Sequence, residues 1–129
     1  MDTRSEQELV NVHPALVAVV RLAATKAPFE VICGLRTVDQ ESACKAGGAS
    51  ETMHSRHLPN PNAAGLACAV DVAALDAAGA VSWDAELYGT INAAMQGAAA
   101  VQDIPVEWGG DWKTLKDFGH FQLPWSKYP

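Results

Sequence analysis

The spacing of apolar positions changes period several times along the chain, and each change predicts an element. Near the start, Ser5-Glu6-Gln7-Glu8 has the S-x-x-E form of a capping box, which predicts a short first helix beginning there. Pro14 interrupts it. Proline is tolerated in the first turn of a helix, and Leu16, Val19, Val20, Ala23 and Ala24 then repeat at helical spacing up to Pro28, which predicts a second helix that covers the core. Phe29 to Cys33 alternates and is rich in β-formers, so a strand is expected to end near Gly34-Leu35-Arg36-Thr37, with Arg36 at its exit. Val38 to Ala46 is moderately helical, and Gly47-Gly48 closes it before a polar loop that carries Met53 through His57.

Pro59-Asn60-Pro61-Asn62 is turn chemistry, and beyond Gly65 the pattern predicts a second strand over Leu66 to Ala73. Side chains alternate along a strand, so Leu66, Cys68, Val70 and Val72 share one face while Ala67, Ala69, Asp71 and Ala73 share the other. Asp71 therefore stands among alanines, with space around it. Ser82 is placed to cap a further helix in which Leu87, Ile91, Ala94, Met95 and Ala98 form an apolar stripe. The tail reads as two short strands joined by a glycine-rich connection. If His120 to Leu123 is one of them, His120 and Gln122 share a face opposite Phe121 and Leu123, with Asp117 in the turn just before.

Composition narrows the picture. At 129 residues the chain fits a single domain spanning residues 1–129. Mean hydropathy is near zero, and no apolar stretch approaches the ~20 residues that cross a bilayer, so a soluble globular protein is expected. MDTRSEQELV has neither the basic start nor the apolar run of a secretory signal, which places the end of synthesis in the cytoplasm. Cys33, Cys44 and Cys68 are an odd number without CxxC spacing and are expected to be reduced. A net charge of −6 without any Lys/Arg run disfavours nucleic acid or an anionic membrane as partner and leaves a small or extended substrate.

Zinc sites that catalyse hydrolysis draw three ligands from His and Asp/Glu and keep one position open for water. His57, Asp71 and His120 offer such a set from a loop and two strands able to meet at one sheet edge, although a lone histidine is more often a hydrogen-bonded or surface residue than a ligand. Asp117 is a candidate general base aimed by its turn into the same cleft, or a solvated turn aspartate. Arg36 is placed to donate to a substrate carboxylate or an oxyanion, or to a surface ion pair. Trp108 and Trp112, around Gly109-Gly110, either wall a groove or join the core. Asp117-Phe118-Gly119 shares its letters with the kinase metal-binding motif, but the chain is too short for a kinase and lacks a glycine-rich phosphate loop.

Taken together, Gly34-Leu35-Arg36-Thr37, Ser55-Arg56-His57, Ala69-Val70-Asp71 and Asp117-Phe118-Gly119-His120-Phe121 resemble the zinc peptidases of the D-alanyl-D-alanine carboxypeptidase (VanY-like) group. The likeness is strongest to the phage and bacterial L-alanyl-D-glutamate endopeptidases that cut peptidoglycan stem peptides. Val12-His13-Pro14 and the run from Trp108 to Trp112 extend it over nearly the whole chain. The resemblance implies an α+β fold, a small antiparallel sheet flanked by helices, also found in hedgehog signalling domains. It implies Zn2+ held by His57, Asp71 and His120, with Asp117 as catalytic base, Arg36 as the substrate-polarising arginine and Ser55 supporting the site by hydrogen bonding. The interval from His57 to Asp71 is longer than the compact spacing members usually carry, and an inserted loop from Pro59 to about Ala64, at the cleft's rim, is the simplest account. The implied activity is that of a monomeric phage endolysin reaching the host cell wall through a membrane lesion made by a partner protein. Two alternatives share these residues. One is a D-alanyl-D-alanine carboxypeptidase or dipeptidase, which must recognise a terminal carboxylate. The other is a zinc-containing wall-binding module without turnover, against which Asp117 argues, because a structural zinc needs no base beside it.

Overall fold

The computed structural model describes residues 1–37, 55–114 and 116–129; the helix expected over Val38 to Ala46 and the loop residues Met53 and His54 lie outside them. Helix α1 (Thr3–Leu9) starts earlier than its capping-box pattern predicts, because the Asp2 carboxylate accepts from Ser5 N at 2.9 Å and takes the N-cap position. Ser5 and Glu8 are thereby freed for another task. They lie on one face of α1, over the edge strand β1 (Phe29–Cys33), where Ser5 Oγ accepts from Val31 N at 2.9 Å and Glu8 Oε1 accepts from Gly34 N at 3.0 Å. The S-x-x-E pair thus satisfies two backbone donors of a sheet edge that no further strand among the described residues covers. Gly34 has to be glycine at this contact, since a Cβ there would collide with the Glu8 carbonyl.

Helix α2 (Pro14–Ala23) begins as expected at its proline, capped by His13, whose Nδ1 accepts from Ala15 N at 3.0 Å. It buries Leu16, Val19, Val20 and Ala23 against α3 (Ala85–Gln102), whose inward residues include Ile91, Met95 and Ala98. The cap of α3 is Asp84, not the expected Ser82: its carboxylate reaches Glu86 N at 3.0 Å, while Ser82 lies in the short strand β3 (Val81–Ser82) and accepts from Asp84 N at 3.3 Å. The second cap fits because the chain must complete its pairing with the sheet before it turns into the helix.

The central strand is β2 (Ala69–Leu75). It pairs antiparallel with β1 on one edge and with β5 (His120–Gln122) and β3 on the other, and β5 pairs antiparallel with β4 (Glu107–Trp108). The strand begins at Ala69 rather than Leu66 because the preceding residues find other partners: Leu66 bridges Asn60, Ala67 bridges Val12, and Cys68 N donates to Arg56 O at 2.9 Å. Val70, Val72, Phe121 and Leu123 are fully buried between the sheet and the helices, so this is an α+β core with one helix-covered sheet.

The loop from Pro59 to Ala64 folds as a short 3-10 turn at Pro61–Ala63 and is held by the tail: Asn60 and Asn62 both donate to Pro129 O, at 3.3 and 3.0 Å. Burying Ser5 with its acceptor role fulfilled has a measurable consequence. Ser5→Ala leaves Val31 N–H buried without an acceptor and is expected to cost ~1–3 kcal/mol of stability, seen as a lower urea midpoint at unchanged slope.

Candidate active site

Strand register does most of the assembly. Asp71 on β2 lies directly opposite His120 on β5 and, across a register shift between Val31 and Cys33, opposite Cys33 on β1. His57 arrives on a loop that two hydrogen bonds tie to its neighbours and a third braces internally. Arg36 N donates to His57 O at 2.8 Å, His57 N donates to Ser55 Oγ at 3.1 Å, and Cys68 N donates to the carbonyl of neighbouring Arg56. Arg56 itself is buried, donating to Leu123 O and Tyr128 O with its guanidinium 3.9 Å from the Trp125 ring centre.

At the centre, Asp71 Oδ1 lies 3.2 Å from His57 Nε2 and 3.0 Å from His120 Nδ1, while Oδ2 lies 3.2 Å from Arg36 Nη2. The far side of each imidazole is occupied by an acceptor: His57 Nδ1 donates to Gly34 O at 2.7 Å, and His120 Nε2 donates to Gln122 Oε1 at 2.7 Å. That arrangement turns the remaining nitrogen of each ring toward Asp71. It is the way carbonyl groups orient metal-binding histidines. His57 Nε2 is close to Asp71 but badly directed for a hydrogen bond, and among the described residues it is the buried side-chain nitrogen or oxygen atom left without a partner. Two imidazoles and a carboxylate with one such orphaned nitrogen fit a divalent ion such as zinc in donor chemistry.

Ligand atoms close enough to share an ion form two sets, Cys33 with His57 and Asp71, and Asp71 with Asp117 and His120, each within 4.8 Å and joined through Asp71. The expected triplet of His57, Asp71 and His120 is therefore divided between the sets. The rings of His57 and His120 lie 5.1 Å apart, edge to face. Cys33 approaches His57 from the Nδ1 side, its Sγ 3.9 Å from that nitrogen, which Gly34 already occupies.

Charges in the cluster are strongly biased. Burial pushes His57 down, but the Asp71 carboxylate and then Cys33 outweigh it and raise the imidazole to about 10. Burial likewise pushes Asp71 up, and contact with His120 and His57 overrides it, holding the carboxyl below the usual carboxylate range. Asp117 goes the other way. Desolvation of its carboxyl, followed by the charge of Asp71, raises it above the ordinary value. The Asp117 backbone is held by Gly109, whose carbonyl accepts from Asp117 N at 3.1 Å. A side chain at Gly109 would strike the Asp117 carbonyl and crowd His120, so glycine is required for this approach.

The two tryptophans take different places. Trp112 lies against His120, ring centres 5.1 Å apart. Trp108 stacks on Phe121 and donates its Nε1 to Phe118 O at 2.8 Å, bracing the turn that carries Asp117. Two residues at the site escaped assignment from sequence: Cys33 and Gln122. The shared face of His120 and Gln122 was the available signal for the second. For Cys33 the signal was only its place at the end of a strand before a glycine.

An α+β domain that gathers two histidines and two carboxylates at its central strand carries the equipment of a hydrolytic enzyme. The chain belongs to the phage L-alanyl-D-glutamate peptidase family, which it matches over residues 1–121. It is similar to the crystal structure of the Serratia marcescens L-Ala D-Glu endopeptidase ChiX, with 45% identity and a TM-score of 0.88 over 100% of this chain and 92% of that one. No curated protein sequence matches it. The protein is an enzyme, a peptidase of the peptidoglycan stem peptide, and its α+β fold with a small antiparallel sheet is the one expected from the sequence.

The opposed shifts of His57 and Asp71 make stability depend on pH. His57 is raised from 6.5 to about 10, so its contribution is complete below pH 6.5 and lost as pH climbs through about 10. Asp71 is lowered from 3.8, so its contribution is present above that pH and lost as pH falls toward the folded value. For protein kept metal-free by a chelator, this pair is expected to give the highest melting temperature between pH 3.8 and 6.5 and a decline from there toward pH 10. Thermal scans across that range check it, and Asp71→Asn should flatten the decline.

Proposed function

We propose that the protein is a zinc-dependent endopeptidase that cuts between L-alanine and D-glutamate in the stem peptide. His57, Asp71 and His120 hold the zinc, Asp117 is the base and Arg36 polarises the substrate. The observation that carries the metal assignment is the unpartnered Nε2 of buried His57, facing a carboxylate whose same oxygen faces His120. Family membership and the likeness to the Serratia enzyme support the choice of bond.

Zinc bound by these ligands supplies Lewis acidity, polarising the scissile carbonyl and making water acidic enough to attack near neutral pH. The chain's own groups do the rest. Asp117, with its raised proton affinity, takes the proton of the attacking water on its carboxylate and returns it to the leaving amine. Arg36 donates toward the oxygen that gains charge and keeps Oδ2 of Asp71 paired, so that Oδ1 stays turned to the histidines. Gln122 and the Gly34 carbonyl keep each imidazole in the tautomer that offers a lone pair. Ser55 fixes the backbone of His57. Trp112, against His120, walls the cleft, and Trp108 supports it from behind.

In this reading residues 1–129 form one catalytic domain that works as a monomer on the wall of the phage host, reached through a lesion that another protein makes. No helix among the described residues is long and apolar enough to cross a membrane.

A digest of purified peptidoglycan tests the activity. Mass spectrometry should find fragments with a new D-glutamate amine, lost with a chelator and restored by zinc; fragments shortened only at their D-alanyl ends, or cleavage indifferent to the chelator, would count against it. Asp117→Asn is expected to lower kcat by ~10²–10⁴ with zinc retained, whereas His120→Ala loses zinc and activity together. Gln122→Leu should weaken zinc binding by about 10–100-fold, as measured by competition with a chromogenic chelator.

A further inference from the structure

A groove of about 440 Å³ opens beside Asp71 and Asp117, and its lining continues to Trp83, Lys116 and Phe118. Trp83 is 71% exposed and Phe118 40% exposed, more than packing alone requires of residues this large. Both rings are nevertheless held in place. Trp83 stacks on Tyr88 with ring centres 6.2 Å apart and planes within 5°, and the buried Tyr88 hydroxyl accepts from Ala74 N at 3.1 Å while donating to Ser82 O at 3.0 Å. Phe118 meets Trp108 edge to face at 5.9 Å, and its carbonyl accepts the Trp108 indole N–H. Aromatic faces fixed before binding lose little freedom when a ligand covers them.

Among the described residues Lys116 is the cation in the groove lining, whose other charged groups are Asp71 and Asp117, in a chain of net charge −6. Its ammonium lies 3.5 Å from the Gly110 carbonyl, and it immediately precedes Asp117, the group assigned to protonate the leaving amine. Glutamate has two carboxyl groups. When one continues the chain, the other stays as an anion close to the amine that cleavage releases. We infer that this groove is the subsite for the leaving-group side of the substrate, where Lys116 pairs with the spare carboxylate of that residue while Trp83 and Phe118 flank the peptide. The inference rests on the proposed function and adds the residues that select the substrate.

The test uses two synthetic stem peptides that differ only in whether the D-glutamate next to the scissile bond carries a free carboxylate or a carboxamide. For the wild-type protein the carboxylate peptide is expected to show a KM about tenfold lower, the effect of one charge-assisted pair. In Lys116→Gln that ratio should fall to near one with kcat on the carboxylate peptide little changed, and Lys116→Arg should keep it. Trp83→Ala should raise KM for both peptides by about tenfold and leave the ratio intact. Circular dichroism and melting temperatures establish that each exposed-site variant is folded. Cleavage of both peptides with an unchanged ratio in Lys116→Gln overturns the subsite alone. Failure of the wild-type protein to cleave either peptide at this bond overturns the proposed function and the subsite with it.

Discussion

One carboxylate organises this molecule. Asp71 sits in the middle of the central strand and is asked to satisfy His57 and His120 with one oxygen and Arg36 with the other. A carboxylate this far from water costs several kcal/mol unless its charge is answered, and here the answers come from three separate parts of the chain. Antiparallel register supplies His120 directly, since β5 can pair with β2 only in the frame that sets those residues opposite each other. A slip of one residue would turn Asp71 away from the cluster, together with the alanines that give it room, and bring Val70 and Val72 out of the core.

The loop ligand needs more support than the strand ligands, and Ser55-Arg56-His57 shows how it is obtained. Arg56 and His57 are the central residues of a turn closed by Leu58 N donating to Ser55 O at 3.2 Å, and their side chains go to different partners. His57 is turned into the cluster while Arg56 reaches the carbonyls of Leu123 and Tyr128 under the ring of Trp125. The arginine ties the motif to the tail, and the tail in turn grips the loop at Asn60 and Asn62. Distance in sequence between His57 and Asp71 is therefore of little consequence to the site. Extra residues are folded against the tail, and both ends return to hydrogen bonds with Arg56, Cys68 and Leu66.

Much of this was legible in the sequence wherever one local rule decides the outcome. Alternation placed Asp71 among small residues and put His120 and Gln122 on one face, and the proline at the start of α2 marked that helix correctly. The misreadings share a cause. Ser5-x-x-Glu8 has the letters of a cap, but those side chains serve the edge of β1, a partner that local sequence does not reveal. Ser82 failed as a cap for a related reason, because β3 claims it first. Cys33 enters the neighbourhood of His57 only through a register shift between β1 and β2, which no motif announces. Trp108 and Trp112 looked equivalent on either side of two glycines, and the 3-10 turn at Gly109–Asp111 separates them, one toward Phe121 and one toward His120.

The two carboxylates also show how one centre obtains opposite behaviour from the same functional group. Asp71 is kept ionised by the histidines despite its burial, whereas Asp117 is made more basic by desolvation and by the negative charge of Asp71. The division matches the roles, since a ligand must stay deprotonated and a base must hold a proton long enough to hand it on. It also links the two. Whatever positive charge answers Asp71 lessens its repulsion of the Asp117 carboxylate, so the proton affinity of the base is set by how completely the ligand cluster is neutralised. Gly109 bears on the same balance, because the close approach it permits keeps Asp117, itself exposed, within the field of Asp71 and His120.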